Sequence, residues 1–170
     1  APICSDFNGV LNAPFGANAL AASGNKIAVV GDFQSLGGVA RKGAAALSIT
    51  DGSAQPWSPI FQGGPVTSMA LGANVVYVGG AFTNLNGTNV QGLAAVDTTG
   101  NATPFTFRGT NGSSPVTVNS LLFSPGSGLF VGGAFTTVSA QARRLLALVD
   151  PVTGTLNAGF NANFGGGGSL

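Results

Sequence analysis

The chain contains no histidine and no glutamate, and its only acids are five aspartates. Without imidazole no Ser-His-Asp or Cys-His arrangement can be built, and with Cys4 as the sole cysteine the common zinc sites are excluded as well. Nothing in this residue set calls for a cofactor or a resident metal. Charge is scarce: 6% of the 170 residues are charged and the formal net charge is +1. So weak a field cannot hold a phosphate backbone, which argues against a nucleic-acid partner. Few charges also mean little colloidal repulsion, so solubility must come from Asn, Ser, Thr and Gly, from attached sugars, or from burial in an assembly. A lone cysteine forms no intrachain disulfide and reads as a free thiol, with an intermolecular bridge as the alternative. No apolar run approaches the roughly 18 residues of a membrane helix. No basic segment followed by an apolar core opens the chain, so no signal peptide is legible, and Ala1-Pro2 fits a mature end left by cleavage.

What the chain does have is 44% hydrophobic residues, enough for a core, and 28 glycines placed periodically. The stretch Val75-Val76-Tyr77-Val78-Gly79-Gly80-Ala81-Phe82 recurs as Ile27-Ala28-Val29-Val30-Gly31-Asp32-Phe33 and as Leu129-Phe130-Val131-Gly132-Gly133-Ala134-Phe135. From Phe33 to Phe82 is 49 residues and from Phe82 to Phe135 is 53, a period typical of repeat architectures.

Each unit reads as four short strands. In the middle unit these are Val66–Leu71, Val75–Gly80, Gly92–Val96 and Thr103–Phe107, with Gly72-Ala73-Asn74 as the first turn and a polar Asn- and Gly-rich loop after Phe82. The first unit supplies Ala19–Ala22, Lys26–Gly31, Ala44–Ile49 and Gln55–Phe61. The third supplies Asn119–Phe123, Leu129–Gly133, Leu145–Val149 and Thr155–Phe160. Residues 1–18 echo the end of the third unit, since Val10-Leu11-Asn12-Ala13-Pro14-Phe15 answers Thr155-Leu156-Asn157-Ala158-Gly159-Phe160. They are therefore expected to be the outer strand of a preceding repeat. The units then run 19–61, 62–107 and 108–164, followed by a flexible Gly-rich tail at 165–170.

The third strands (Ala44-Ala45-Ala46-Leu47, Leu93-Ala94-Ala95-Val96 and Leu145-Leu146-Ala147-Leu148-Val149) are continuously apolar, as strands covered on both faces must be. Blades of a β-propeller meet that condition, whereas a two-layer sandwich would leave one face wet and alternating. A helix over Leu145–Val149 is disfavoured by its length and by Pro151. The expected fold is all-β, with about three four-stranded propeller-type blades plus one extra outer strand. The Gly-Gly-x-Phe positions are expected to be buried, with Gly80 and Gly133 where a neighbour leaves no room for a Cβ.

Several residues are candidates for chemistry. Asp97 and Asp150 share a repeat position before a glycine and read as turn caps, as does Asp51 in the first unit. Asp32 stands where the other units have Ala81 and Ala134. Arg41-Lys42 and Arg143-Arg144 recur after Phe33 and Phe135; they read as solvated blade residues dispensable for folding, with contact to acidic ligands as the sharper alternative. Trp57 aligns with Phe105 and Phe160 and reads as a core aromatic, and Tyr77, the only tyrosine, lies in an apolar strand. Three glycosylation sequons occur, at Asn86, Asn101 and Asn111, all in loops or turns.

The run Gly-Gly-x-Phe, Phe135-Thr136-Thr137-Val138, Ala142-Arg143-Arg144-Leu145-Leu146-Ala147-Leu148, Asp150, Gly154, Leu156-Asn157-Ala158-Gly159-Phe160-Asn161 resembles the delta-sixty type of bacterial β-propeller repeat. Phe33 with Leu36-Gly37-Gly38-Val39-Ala40-Arg41-Lys42, and Phe82-Thr83-Asn84-Leu85-Asn86-Gly87, fit the same pattern. The departures are Ser48, where other units have aspartate, and Val90-Gln91, where others have a basic pair. The resemblance implies propeller blades in secreted or surface-attached proteins, with no general catalytic residues. The expected function is accordingly a non-catalytic, extracellular structural or adhesive module. It would be completed as a homo-oligomer or by further blades of a longer parent, because closed propellers need four to eight blades. A glycan-binding, lectin-like propeller is the second reading. An Asp-dependent glycosidase, needing two carboxylates across one cleft, is the third.

Overall fold

The computed structural model describes residues 16–162 and 164, all of it strand, turn and loop with no helix. The first unit contributes β1 (Gly16–Ser23), β2 (Lys26–Asp32), β3 (Ser35–Leu36), β4 (Val39–Ala40) and β5 (Ala44–Ser48). The second contributes β6 (Phe61–Gln62), β7 (Val66–Leu71), β8 (Val75–Gly80), β9 (Asn84–Leu85), β10 (Thr88–Asn89) and β11 (Leu93–Asp97). The third contributes β12 (Gly109–Thr110), β13 (Thr117–Ser124), β14 (Gly128–Ala134), β15 (Thr137–Val138), β16 (Gln141–Ala142) and β17 (Leu146–Val149).

Three of the sheets are equivalent antiparallel meanders, β1-β2-β5, β7-β8-β11 and β13-β14-β17. Each opens with a bulge at the same place, at Asn18, Thr67 and Asn119, where the register shifts by one residue. Opposite the bulge stand Gly31, Gly80 and Gly133. A Cβ there would overlap the carbonyl oxygen of Gly16, Pro65 or Thr117, so the close approach expected from the sequence is present.

The sheets pack face to face in chain order, with β7 against β1 and β2, and β13 against β7 and β8. Strand alternation then sorts the middle unit's apolar residues into two cores. Val78, Ala94 and Val96 join Val30, Ala44, Ala46, Trp57, Phe61 and Phe82 on one side. Tyr77, Leu93 and Ala95 join Val118, Leu129, Val131, Phe135, Ala147 and Val149 on the other. Both faces of the middle sheet are covered, which is why its third strand carries no polar alternation. The three repeat phenylalanines are buried at 4%, 0% and 1% exposure for Phe33, Phe82 and Phe135.

Two expectations need correction. The fourth segments are not strands: each touches its sheet through one bridge, Leu47 with Ala54, Val96 with Ala102, and Val149 with Leu156. In the first two segments Pro56, Pro59 and Pro104 lack the N–H that a continuing ladder requires. The polar loops after the phenylalanines are in turn small hairpins, β3-β4, β9-β10 and β15-β16, the last two extended by β6 and β12. Their two-residue turns, Gly37-Gly38, Asn86-Gly87 and Ser139-Ala140, all have positive φ, the geometry that matches strand twist. The proposed outer strand over residues 1–18 lies almost wholly outside the described residues; its last three, from Gly16, belong to β1. Cys4 and the tail at 165–170 also lie outside them.

A second bulge precedes each third strand. Gly43, Gly92 and Leu145 have φ of 74°, 68° and 65°. Each donates its N–H to the repeat phenylalanine's carbonyl and accepts from Gly31, Gly80 or Gly133. Leucine is strained in the left-handed region by about 1–2 kcal/mol, partly offset by glycine's greater freedom in the unfolded chain. Since the Leu145 side chain is half exposed, Leu145→Gly is expected to stabilise by about 0.5–1 kcal/mol and raise Tm by roughly 1–4 °C. A Leu145→Gly variant melting no higher than the parent by calorimetry would refute the strain.

Candidate functional site

The aspartates build turns. The Asp97 carboxylate accepts from Thr99 N, Asn101 N and Thr99 Oγ1 at 2.8, 2.9 and 2.6 Å. Asp150 accepts from Val152 N, Thr153 N and Thr153 Oγ1 at 3.0, 2.7 and 2.8 Å, and Asp51 accepts from Ser53 N. These bonds hold all three carboxyls below their ordinary value of 3.8, led by the Thr99 hydroxyl for Asp97, the Thr153 N–H for Asp150 and the Ser53 N–H for Asp51. A carboxylate depressed in the folded state stabilises in full above the unfolded value, and that contribution fades as pH falls through the folded values. Tm is therefore expected to be flat from about pH 5 to 7, where no histidine titrates, and to decline below about pH 4. A Tm that rises on acidification in that lower window would contradict these caps. All three groups are solvent-exposed, so each effect is small.

The basic pairs divide. Arg143 is buried at 6% exposure. Its Nε donates to Phe160 O at 3.1 Å, Nη1 to Ala142 O at 2.7 Å and Nη2 to Ala158 O at 2.9 Å. The guanidinium thus ties the irregular fourth segment to the hairpin β15-β16. Arg41, half-buried, makes two of these bonds, with Nη1 on Ala40 O at 2.9 Å and Nη2 on Gln55 O at 3.2 Å, while its buried Nε has no partner among the described residues. The expectation that these arginines are solvated is corrected for Arg143, whose donors point at main-chain carbonyls. Lys42 and Arg144 are exposed. Val90, at the arginine position of the second unit, packs on the apolar core instead.

Two polar aromatics rivet neighbouring sheets. Trp57 Nε1 donates to Asp97 O at 2.9 Å, and Tyr77 Oη donates to Pro151 O at 2.7 Å. Burial, with the Asp150 charge second, pushes the Tyr77 hydroxyl up, so it serves as a hydrogen-bond donor and not as a phenolate.

Of the sequon asparagines, Asn86 has its amide engaged at both ends, Nδ2 on Gly100 O and Oδ1 on Ile60 N, both 2.8 Å. Nothing local in the chain signals this use, because Ile60 lies 26 residues and Gly100 14 residues from Asn86. Asn101 lies exposed on the Asp97 turn, with Nδ2 on Thr99 Oγ1. Asn111 is half-buried in the turn after β12.

A cleft of about 270 Å³ lies between the first and second sheets, bordered by Asp32, Gln34, Lys42 and Gln62 around Phe33 and Phe61. It gathers one acid, one base and two amides from residues spread over 30 positions of the chain, from Asp32 to Gln62. Among the described residues no group of three or more His, Cys, Asp or Glu could hold a metal ion, and no helix is long and apolar enough to cross a membrane. The three meanders define an all-β repeat protein of small antiparallel sheets. No family model matches the chain, and no curated protein is similar to it.

Proposed function

We propose that the chain is a non-catalytic structural or adhesive module, its three units acting as propeller-type blades of an extracellular or cell-surface protein of the delta-sixty kind. The observation that carries this reading is where the reactive side chains go. Asp51, Asp97 and Asp150 cap their own turns, Arg143 and Arg41 clamp fourth segments, and Tyr77 and Trp57 bridge sheets. Chemistry-bearing groups are spent on holding a repetitive scaffold, while the exposed turns present Asn, Thr, Ser and Gly. Completion by further copies or further blades belongs to the same reading. Displayed on a non-adherent bacterium, the chain is expected to promote attachment to cells or matrix and to release nothing from a panel of aryl glycosides. Glycoside turnover that disappears in Asp97→Asn or Asp150→Asn would replace this reading with an Asp-dependent glycosidase.

The cleft at Asp32 and Lys42 favours a second reading, a lectin-like module for a small polar ligand such as a sugar. Binding on a glycan array that is lost in the double variant Asp32→Asn, Lys42→Ser would support it; binding unaltered by that variant, or absent, would not.

A further inference from the structure

Three features of the repeat change together at the third sheet. The bulge residue of the first sheet, Asn18, donates Nδ2 to Val66 O of the second at 2.6 Å. The bulge residue of the second, Thr67, donates Oγ1 to Val118 O of the third at 2.7 Å. In both cases the acceptor immediately precedes the next sheet's bulge. The third bulge residue, Asn119, is exposed and makes no side-chain hydrogen bond among the described residues. The repeated aromatic behaves likewise: Trp57 and Phe105 are buried against the following sheet, whereas Phe160 is half-buried and, among the described residues, its ring meets Phe130 of its own sheet edge-on at 5.4 Å. Finally, the row of the third sheet that corresponds to the covered Ala70-Tyr77-Ala95 row is Leu122, Phe130 and Leu148; Leu148 is buried and Phe130 half-buried, while Leu122 is 62% exposed.

The matching half lies at the other end. Met69, Val78 and Ala94 of the second sheet face the first, and Leu121, Val131 and Ala147 of the third face the second. The equivalent row of the first sheet is Leu20, Val29 and Ala45; Val29 and Ala45 are buried beside Phe33 and Leu47, and Leu20 stands open at 65% exposure. Ala17, the residue before the Asn18 bulge, occupies the position of the acceptors Val66 and Val118.

We propose that the outer face of the third sheet binds the outer face of the first sheet of a second copy of this chain, head to tail. This repeats between molecules the junction that the chain makes twice within itself. Asn119 of one copy donates to the Ala17 carbonyl of the next, and Leu122 and Leu20 are buried together. Neither row carries a charged residue, so the contact needs no ion pairing and desolvates little polar surface. The proposal rests on the blade reading above and names the partner that completes it. A head-to-tail contact is heterologous and closes into a ring or grows into a filament.

The test is sedimentation across the micromolar range in reducing buffer, so that Cys4 adds no crosslink. The parent is expected as a dimer or larger ring. Leu20→Asp and Leu122→Asp are each expected to be monomeric with unchanged β-sheet circular dichroism. Mixed 1:1, they are expected to form a heterodimer through the one junction that keeps both native faces. Asn119→Ala is expected to weaken association by roughly tenfold. If an aspartate variant fails to fold, the serine variant at the same position takes its place. A monomeric parent, an assembly untouched by either substitution, or a mixture that stays monomeric overturns the proposal. Failure here is distinguishable from failure of the adhesive reading. A monomer that adheres sinks the docking alone, and an assembled species that adheres to nothing sinks the adhesion alone.

Discussion

Phe82→Ala is expected to lower unfolding stability by about 3–5 kcal/mol, the range for a fully buried aromatic truncated in a core that cannot collapse around it. Phe82 has no exposed surface and lies in the cluster shared by the first and second sheets. Its ring meets Phe61 in a T-shaped contact at 4.6 Å and 60°. Its carbonyl also receives the Gly92 N–H that starts the third strand, so repacking is limited by a backbone already held on two sides. Phe33 provides the internal comparison. It is the same repeat position, but its cluster is the smallest of the three, formed with Val29, Ala45 and Leu47. Phe33→Ala is therefore expected to cost less. Urea titrations of the two variants measure the difference, and a Phe82→Ala midpoint within error of the parent would show that the inter-sheet core is misplaced.

The second large effect is expected from Arg143→Ala, at about 2–3 kcal/mol, because a buried guanidinium with three carbonyl acceptors is removed. The loss is larger than for a surface ion pair, since the carbonyls of Ala158 and Phe160 lose the clamp that holds an irregular segment lacking a ladder of its own. Lysine is not expected to rescue it: an ammonium is a single point and cannot span acceptors reached by separate guanidinium nitrogens. Arg144→Ser, one residue away and exposed, is expected to change stability by less than about 0.5 kcal/mol. Equal losses from the two substitutions in denaturant titrations would rule out the clamp.

The repeat, its period, the first three strands of every unit and the burial of the repeat phenylalanines were legible in the sequence; the expected burial of the glycines holds for Gly79 and Gly80 but not for Gly132 and Gly133, which are half-buried. The signals are local or periodic: apolar runs, a turn glycine, a phenylalanine at fixed spacing. The aspartate caps were legible for the same reason, since an Asp and the N–H groups it caps lie within four residues. Tertiary structure alone decided the rest. It separated Arg143 from Arg144, because which of two adjacent cations is buried depends on where a segment 15 residues later is laid. It brought Asn86 to Ile60 and Gly100, and Trp57 to Asp97, across distances that no window of sequence spans. The first two fourth segments carry strand-like residues but form no strands, because proline removes donors and the next sheet's turn binds them, through Trp57 on Asp97 and Thr106 on Thr153. The third, without proline, is held by Arg143 instead. The outward rows of Leu20 and Leu122 have the composition of core residues. Only the order in which the sheets pack shows that they stand at the two ends of the stack.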